Sequence, residues 1–195
     1  MKPKKYTNPK RERLKQIILK NSFQLGVFIL SSGKKSDYYI DLRTTTLDPQ
    51  GLYLICKFFL DYLRRKNLKI DAVGGLTLGA DPIVGGMVAL SQRRKKPLAG
   101  FIVRKEAKKH GTQKLIEGNL KPGWKVAIVE DVITTGSSAI KAIKSAQEQG
   151  AKVKIVLAVV DREEGGREQI EKLDIPVYSL FTASELKSSA RKIKK

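Results

Sequence analysis

The sequence has little of several residue types that define common protein classes. Its 195 residues contain one cysteine, one histidine and one tryptophan. Because Cys56 has no second cysteine to pair with, a disulfide framework and a cysteine-based zinc site are both excluded. Cys56 lies in the apolar run LYLICKFFL and is predicted to be a buried structural thiol rather than a nucleophile.

Long apolar segments are absent as well. No run approaches the ~18 consecutive apolar residues of a transmembrane helix. The charged N-terminal stretch is followed by no apolar segment of the kind found in signal peptides. We therefore expect a cytoplasmic protein that does not enter a membrane.

Negative charge is scarce. The chain has 19 Asp and Glu against 39 Lys and Arg, which gives a formal net charge of +20. Such an excess favours anionic partners, whether nucleic acid, a membrane surface or phosphorylated metabolites. A good share of the positive charge lies in residues 2–15 and 187–195, which we expect to be solvated tails. Charge alone does not choose among these partners.

The remaining sequence is typical of a globular protein. A hydrophobic fraction of 41% is enough for a normal core, and the length favours one domain, 1–195. We expect a helix at 11–25 and two short strands within residues 1–45, an α/β core in residues 46–183, and a basic tail in residues 184–195.

Within the core, aliphatic strands alternate with helices. Strands are predicted at 70–75, 98–104, 124–130, 152–161 and 175–180, and helices at 49–66, 80–92, 137–149 and 166–173. This alternation predicts an α/β fold with a doubly wound, mainly parallel sheet flanked by helices. Ligands bind at the carboxyl edge of such sheets. Polar or glycine-rich segments follow four strands there: GGLTLGAD (74–81), RKEAKKHG (104–111), EDVITTGSS (130–138) and DREEGG (161–166).

The segment 130–138 combines an anion site with two acids. A glycine loop that leads into a helix offers free N–H groups and the positive end of the helix dipole. Glu130 and Asp131 would repel a phosphate unless a ribose lay between, since carboxylates accept hydrogen bonds from its 2′- and 3′-hydroxyls. The segment therefore predicts a phosphoribose site. Four hydroxyl side chains could donate to the phosphate or simply cap the helix: Thr134, Thr135, Ser137 and Ser138.

Two segments carry a family resemblance. Residues 126–138 resemble the substrate-binding signature of type I phosphoribosyltransferases, an apolar strand, two acids and a V-I-T-T-G-S-S-like loop. Residues 101–111 look like the mobile catalytic loop of orotate phosphoribosyltransferases. In that family the loop reaches across a dimer interface to the diphosphate. The matching positions here are Arg104, Lys105, Lys108 and His110.

Other segments agree with this resemblance. In the family, an N-terminal element covers the orotate site. The segment here that resembles it has the matching residues Ser32, Gly33, Ser36, Tyr38 and Tyr39. The tyrosine pair taken alone would indicate strand packing. The family's D-R-x-x-G-G element pairs its arginine with the base carboxylate, and the matching arginine is Arg162. The segment 74–82 resembles the loop that cradles the diphosphate.

Four positions depart from the family pattern. Many members have a lysine at the place of Ser31 and a Tyr-Lys pair at that of Thr77 and Leu78. We assign no substrate contact to these positions. The first acid is Glu130, where Asp is common. Its charge is kept, so we expect the ribose contact to remain.

The resemblance implies an enzyme, a type I phosphoribosyltransferase with a small N-terminal hood. It would join orotate to 5-phospho-α-D-ribose 1-diphosphate through an oxocarbenium-like transition state, with Mg²⁺ held mainly through the substrate and no protein metal ligand, in a homodimer that shares the loop 104–111. The implied catalytic residues are Lys105, Lys108, His110 and Asp131. The implied contacts to phosphoribosyl diphosphate are Arg104, Lys105, Lys108, His110, Glu130, Asp131, Val132, Ile133, Thr134, Thr135, Gly136, Ser137 and Ser138. The implied orotate contacts are Tyr38, Tyr39, Thr134 and Arg162.

Two alternatives remain. A phosphoribosyltransferase for hypoxanthine, adenine or uracil would share the 130–138 signature but would have no use for a carboxylate-binding Arg162. A regulator that binds RNA or DNA would suit the charge of +20. It would leave the loop 104–111 without a purpose, and the sequence has no recognisable nucleic-acid motif. We therefore do not expect a nucleic-acid partner.

Overall fold

A computed structural model of the chain describes residues 8–29, 33, 35–93, 95–106 and 115–193. The N-terminal part consists of α1 (Pro9–Asn21), β1 (Phe23–Ile29), β2 (Lys35–Ile40) and α2 (Arg43–Thr46). The helix predicted to reach residue 25 ends at Asn21, because β1 pairs antiparallel with β2 from Phe23 onward. The two strands form a sheet of their own, separate from the main sheet. They correspond to the two short strands predicted within residues 1–45.

The core alternates strands and helices as predicted. Its elements are α3 (Pro49–Arg65), β3 (Ala72–Leu76), α4 (Asp81–Ser91), β4 (Ala99–Val103), β5 (Ile116–Gly118), β6 (Lys125–Ile133), α5 (Ser137–Glu148), β7 (Lys152–Asp161), α6 (Gly166–Glu171), β8 (Val177–Thr182) and α7 (Ala183–Ile193). The strands form one sheet in the order β5-β4-β3-β6-β7-β8, and every described pair in it is parallel except β4 with β5. The predicted doubly wound, mainly parallel α/β fold is confirmed.

The sheet has its switch point between β3 and β6. The chain runs from β3 outward to β4 and β5, then returns to the other side of β3 with β6. Crossovers therefore leave β3 and β6 in opposite directions and open a crevice at their carboxyl ends. The segments that follow these strands, 77–80 and 134–136, meet at this crevice.

Helices cover both faces of the sheet. Alternate residues of β6 face opposite sides. Ala127 and Val129 belong to the apolar cluster that includes residues of α1, α3, α4 and α7, whereas Val126 and Ile128 belong to the one that includes residues of α5 and α6. Cys56 is fully buried in the first of these layers, and burial raises the pKa of its thiol to about 12. This confirms the prediction of a structural cysteine, because the reactive form is the thiolate.

Three segments differ from the sequence prediction. The expected basic tail is helical through Ile193, because Ala183 and Leu186 bury one side of α7 against the core. Helix α1 begins at Pro9, two residues before its predicted start and within the segment 2–15 that was expected to be a solvated tail. Strand β5, which the sequence did not predict, pairs with β4. None of the helices in the described ranges is long and apolar enough to cross a membrane.

Candidate active site

Two adjacent carboxyl groups lie at the carboxyl end of β6. The strand extends to Ile133, three residues further than predicted, so Glu130 and Asp131 are held by the ladder to β7. Glu130 is only 6% exposed, and its Oε2 has no hydrogen-bond partner among the described residues. Asp131 accepts a hydrogen bond from the N–H of Val132 at 2.8 Å.

Burial makes these acids hard to ionise. The pKa of Glu130 is raised well above its ordinary value, first by burial and then by the negative charge and hydrogen bonding of Asp131. Burial also raises the pKa of Asp131. Two carboxyl groups this close do not ionise independently, so the pair favours holding a proton until hydroxyl donors or a cation arrive.

A cavity of about 150 Å³ opens beside Glu130. It is lined by Glu130, Val132, Ile133, Thr134, Thr135, Gly136, Ser137, Ser138 and Ala139. Gly136 precedes α5 with φ 81°, and a Cβ there would come within 2.7 Å of the carbonyl oxygen of Gly166. Only glycine fits this turn.

The hydroxyl groups of the cavity are not used to cap α5. The N-cap position is Gly136 itself, with no side-chain cap bond, and Ser137 and Ser138 lie within the first helical turn. The first N–H groups of an α-helix have no partner within the helix, and they carry the positive end of its dipole. In α5 these groups belong to residues that line the cavity. The cavity therefore has the donors that a phosphate requires, and capping does not account for its hydroxyls.

The segment after β3 closes the other side of the acids. A Cβ on Gly79 would lie 2.5 Å from Oδ1 of Asp131, so the backbone of this turn touches that carboxyl group. The Thr77–Leu78 peptide bond is cis. The hydroxyl of Thr77 donates to Oδ2 of Asp81 at 2.6 Å. Thr77 is thus used within the turn, whereas Leu78 is 64% exposed.

The loop predicted to bind the diphosphate starts from a fixed base. The N–H of Arg104 donates to the carbonyl of Leu115 at 2.8 Å, which continues the β4–β5 ladder by one pair. The Arg104 guanidinium lies 3.6 Å from Oε1 of Glu117. Nζ of Lys141, on α5, donates to the carbonyl of Lys105. The predictions for Lys108 and His110 lie outside the described residues.

A cationic side chain and a buried ring lie at the end of β7. The N–H of Arg162 donates to the carbonyl of Ile133 at 2.9 Å, which attaches this residue to the cavity wall. Its guanidinium carbon lies 4.7 Å from the ring centre of Tyr38, and its Nε lies 2.7 Å from Oε1 of Glu164. The Tyr38 ring is buried and stacks on Phe23 at 5.4 Å.

Tyr39 occupies a different environment. Successive side chains of a strand point to opposite faces, so Tyr39 points away from Tyr38. Its ring lies 5.6 Å from Phe28 and is 42% exposed. The structure therefore brings Tyr38 and Arg162 together and does not pair Tyr39 with them.

Other predicted residues of the N-terminal element lie near the hairpin turn. Gly33 has φ 78°, and the hydroxyl of Ser36 donates to the carbonyl of Tyr38 at 2.7 Å. Ser31 and Ser32 lie outside the described residues.

Comparison with known proteins identifies the family. No protein-family model matches the chain. The orotate phosphoribosyltransferase of Aquifex aeolicus is 54% identical over 179 residues, which cover 90% of this chain and 97% of the relative. The chain belongs to the orotate phosphoribosyltransferase family. This confirms the resemblance drawn from the motifs at 101–111 and 126–138.

Solved structures agree with this membership. A crystal structure of the orotate phosphoribosyltransferase of Mycobacterium tuberculosis superposes with a TM-score of 0.79 at 38% identity, covering 91% of this chain and 99% of that one. A second crystal structure of that enzyme, in complex with 5-phospho-alpha-D-ribosyl 1-diphosphate, superposes with a TM-score of 0.74 at 31% identity, covering 93% of each chain. The orotate phosphoribosyltransferase fold thus extends over nearly the whole chain.

Two basic residues beside this orotate phosphoribosyltransferase site, Lys141 and Arg167, carry no signal in the sequence. Asp161 is buried and accepts from Nε of Arg167 at 2.8 Å and from the N–H of Glu163 at 2.9 Å. Arg167 also donates to the carbonyl of Val177 at 2.7 Å. This network fixes the loop that carries Arg162. A lysine or arginine that binds a distant backbone carbonyl, as Lys141 and Arg167 do, has no spacing that sequence patterns could reveal.

Proposed function

We propose that the chain transfers ribose 5-phosphate from 5-phospho-α-D-ribose 1-diphosphate to orotate, giving orotidine 5′-phosphate and diphosphate, a step in the de novo synthesis of UMP. One observation carries this proposal beyond family membership. The cavity, the acid pair and Arg162 lie at one edge of the sheet, joined through the Arg162 N–H and the Ile133 carbonyl at 2.9 Å. A sugar phosphate and an anionic base would thus find complementary groups side by side.

Each part of the substrate pair has a matching group. The 5′-phosphate would bind the N–H groups and hydroxyls of the cavity at 134–138. Glu130 and Asp131 would accept hydrogen bonds from the ribose hydroxyls and hold the sugar. Arg162 would bind the carboxylate of orotate, with Tyr38 supporting the guanidinium. The backbone of the turn at 77–80 would face the diphosphate.

Catalysis then rests on positioning and electrostatics. A ring nitrogen of orotate forms the bond to C1 of the ribose and loses its proton, while the bond from C1 to the diphosphate oxygen breaks and its electron pair leaves with diphosphate. Arg104, Lys105 and Lys108 would neutralise the departing charge, and His110 would donate a hydrogen bond or a proton to it. Asp131 would stabilise the positive charge that develops on the ribose.

Mg²⁺ is the metal that this reaction implies. Among the described residues no cluster of three or more histidine, cysteine, aspartate or glutamate side chains could hold a metal ion. The acid pair, with Oε2 of Glu130 unpartnered, fits a cation that takes most of its ligands from the substrate and water. When bound, Mg²⁺ supplies charge neutralisation at the diphosphate.

The family resemblance also supports a homodimer in the cytoplasm, with the loop 104–111 of each subunit reaching the site of the other. The loop starts at β4, the partner of the outermost strand β5. An edge position leaves it accessible to a second subunit.

The test is the loss of orotate absorbance when phosphoribosyl diphosphate and Mg²⁺ are added, with uracil and hypoxanthine as control bases. We expect turnover with orotate and with neither of the control bases. An Arg162→Leu variant should raise KM for orotate by about tenfold or more, because a charge-assisted pair is lost. Preferential turnover of hypoxanthine or uracil would contradict the proposed function.

A further inference from the structure

We propose that Lys187, on the C-terminal helix α7, is a positioning residue of the orotate subsite. It holds Tyr38 against Arg162 and so determines the affinity for the carboxylated base. The inference rests on the proposed function and extends it to an element that the sequence predicted to be a solvated tail.

A continuous series of contacts links Lys187 to the cavity. The Ile133 carbonyl accepts the N–H of Arg162 at 2.9 Å. The Arg162 guanidinium lies 4.7 Å from the ring centre of Tyr38. Nζ of Lys187 lies 5.3 Å from the same ring centre. Two cations thus approach one buried ring, and both distances are within the range of cation–π attraction.

The ammonium group of Lys187 also binds the residue next to Tyr38. Its Nζ donates to Oδ1 of Asp37 at 3.0 Å. One side chain therefore contacts two consecutive residues of β2, the carboxylate of Asp37 and the ring of Tyr38. These contacts fix the hairpin over Arg162. The pairing of β1 with β2 cannot do this, because the two strands form a sheet separate from the main one.

The helix that carries Lys187 is itself well anchored. Oε2 of Glu185 accepts a hydrogen bond from Nη2 of Arg11 at 2.6 Å, and Leu186 is fully buried. The N–H of Ser184 donates to Oε2 of Glu163 at 2.8 Å. Glu163 follows Arg162 directly, so α7 contacts the Arg162 loop at its first turn and the hairpin one turn later. Lys187 thus projects from a rigid support beside both halves of the base subsite.

The ion pair by itself does not explain why this side chain lies here. Asp37 is 55% exposed, and exposed ion pairs contribute little to stability. Arg191 makes a second pair with Asp37 at 3.6 Å, so Asp37 has another cation on the same helix. What distinguishes Lys187 from Arg191, among the contacts described, is the approach to Tyr38.

This difference provides a matched pair of variants. Lys187→Met keeps the aliphatic stem and removes the charge, and Arg191→Met does the same one turn further along α7. We expect Lys187→Met to raise KM for orotate by roughly five- to tenfold, with kcat and KM for phosphoribosyl diphosphate within about twofold of the wild type. Arg191→Met should leave all three constants near the wild-type values. Lys187→Arg should restore most of the orotate affinity.

Two further measurements separate positioning from general structure. Calorimetric titration with orotidine 5′-phosphate should show weaker binding to Lys187→Met by a similar factor, and thermal unfolding should show nearly equal melting temperatures for the two methionine variants. The proposal is overturned if Lys187→Met leaves KM for orotate unchanged, if Arg191→Met has the same effect, or if both substrates are affected alike. A wild-type protein without orotate turnover would overturn the proposed function itself, whereas an active wild type with an indifferent Lys187 would overturn this inference alone.

Discussion

Glu130 shows how a single residue can lower stability where the site requires it. Its carboxyl group is buried, its Oε2 has no partner among the described residues, and Asp131 is its neighbour in the chain. A buried polar group without a partner costs free energy, and a second acid adds repulsion. In the proposed site, ribose hydroxyls would supply the missing donors, so the cost in the free protein would be recovered when the substrate binds.

The Glu130→Gln variant tests this conflict between stability and binding. Burial raises the pKa of Glu130 above its ordinary value of 4.5, so the folded wild type binds this proton more tightly than the unfolded chain. Its unfolding free energy therefore falls as pH rises from about 4.5 toward the raised pKa, whereas the glutamine has no such loss. We expect Glu130→Gln to melt about 2–4 °C higher at pH 8, corresponding to about 1 kcal/mol, and to lose this advantage near pH 4. Binding of phosphoribosyl diphosphate should weaken by about tenfold.

The control is Glu148→Gln, which changes an exposed acid at the end of α5. It should alter neither the pH profile of melting nor substrate binding. A stabilisation by Glu130→Gln that grows toward acid pH would show that Glu130 is better ionised in the folded protein than the buried geometry implies.

Individual residues differ in how far the sequence could predict them. Glu130, Asp131 and Arg162 follow strands within recognisable motifs, so their place at the carboxyl edge was predictable. Tyr38 required the family resemblance, since a tyrosine pair in a strand usually means packing. Lys187 was not predictable, because its partner Asp37 is 150 positions away and a single lysine in a basic segment has no pattern.

Among elements, those with a clear apolar pattern were predicted, whereas β5 and α7 were not. The strand at Lys152–Asp161 has the predicted bounds because ten aliphatic-rich residues leave little choice. Strand β5 has three residues, too few for any periodicity, and its existence depends on pairing with β4. Helix α7 has few apolar residues, and its position depends on Arg11, far away in the chain, binding Glu185.

The β4–β5 pair and α5 together support the start of the predicted catalytic loop. The Lys141 ammonium donates to the carbonyl of Lys105, which ties the second residue of the loop to α5. Because Lys105 should act on the departing diphosphate, we expect Lys141→Met to reduce kcat by roughly three- to tenfold while KM for orotate stays nearly constant. Steady-state kinetics with both substrates measure this effect.

Lys144→Met is the matched control, since Lys144 lies on the next exposed position of the same helix. It removes the same charge without the contact to Lys105. Equal losses in the two variants would mean that a general change in the potential around α5, and not the tether to the loop, determines turnover.

At the scale of the whole molecule, the sheet order explains why one edge collects the chemistry. The crossovers after β3 and β6 run to opposite sides of the sheet. The turn at 77–80 and the cavity at 134–138 therefore open on the same crevice. Strand β7 lies next to β6 and adds Arg162 at the same edge. The loop 104–111, by contrast, starts from the outer strands. In the proposed dimer, the most distant part of the site would be supplied by the other subunit.

Subunit complementation tests this arrangement directly. Lys105→Ala would damage the proposed catalytic loop, and Asp131→Asn would damage the proposed ribose site, so each variant alone should have little activity. In a mixed dimer with shared loops, one site combines an intact loop with an intact Asp131, and the other site carries both changes. An equimolar mixture after subunit exchange should therefore recover roughly a quarter of wild-type activity. Mixing Lys105→Ala with Lys108→Ala should recover nothing, because every loop is then damaged. If the first mixture gives only the average of its components, each loop serves its own subunit and the shared-site dimer is wrong.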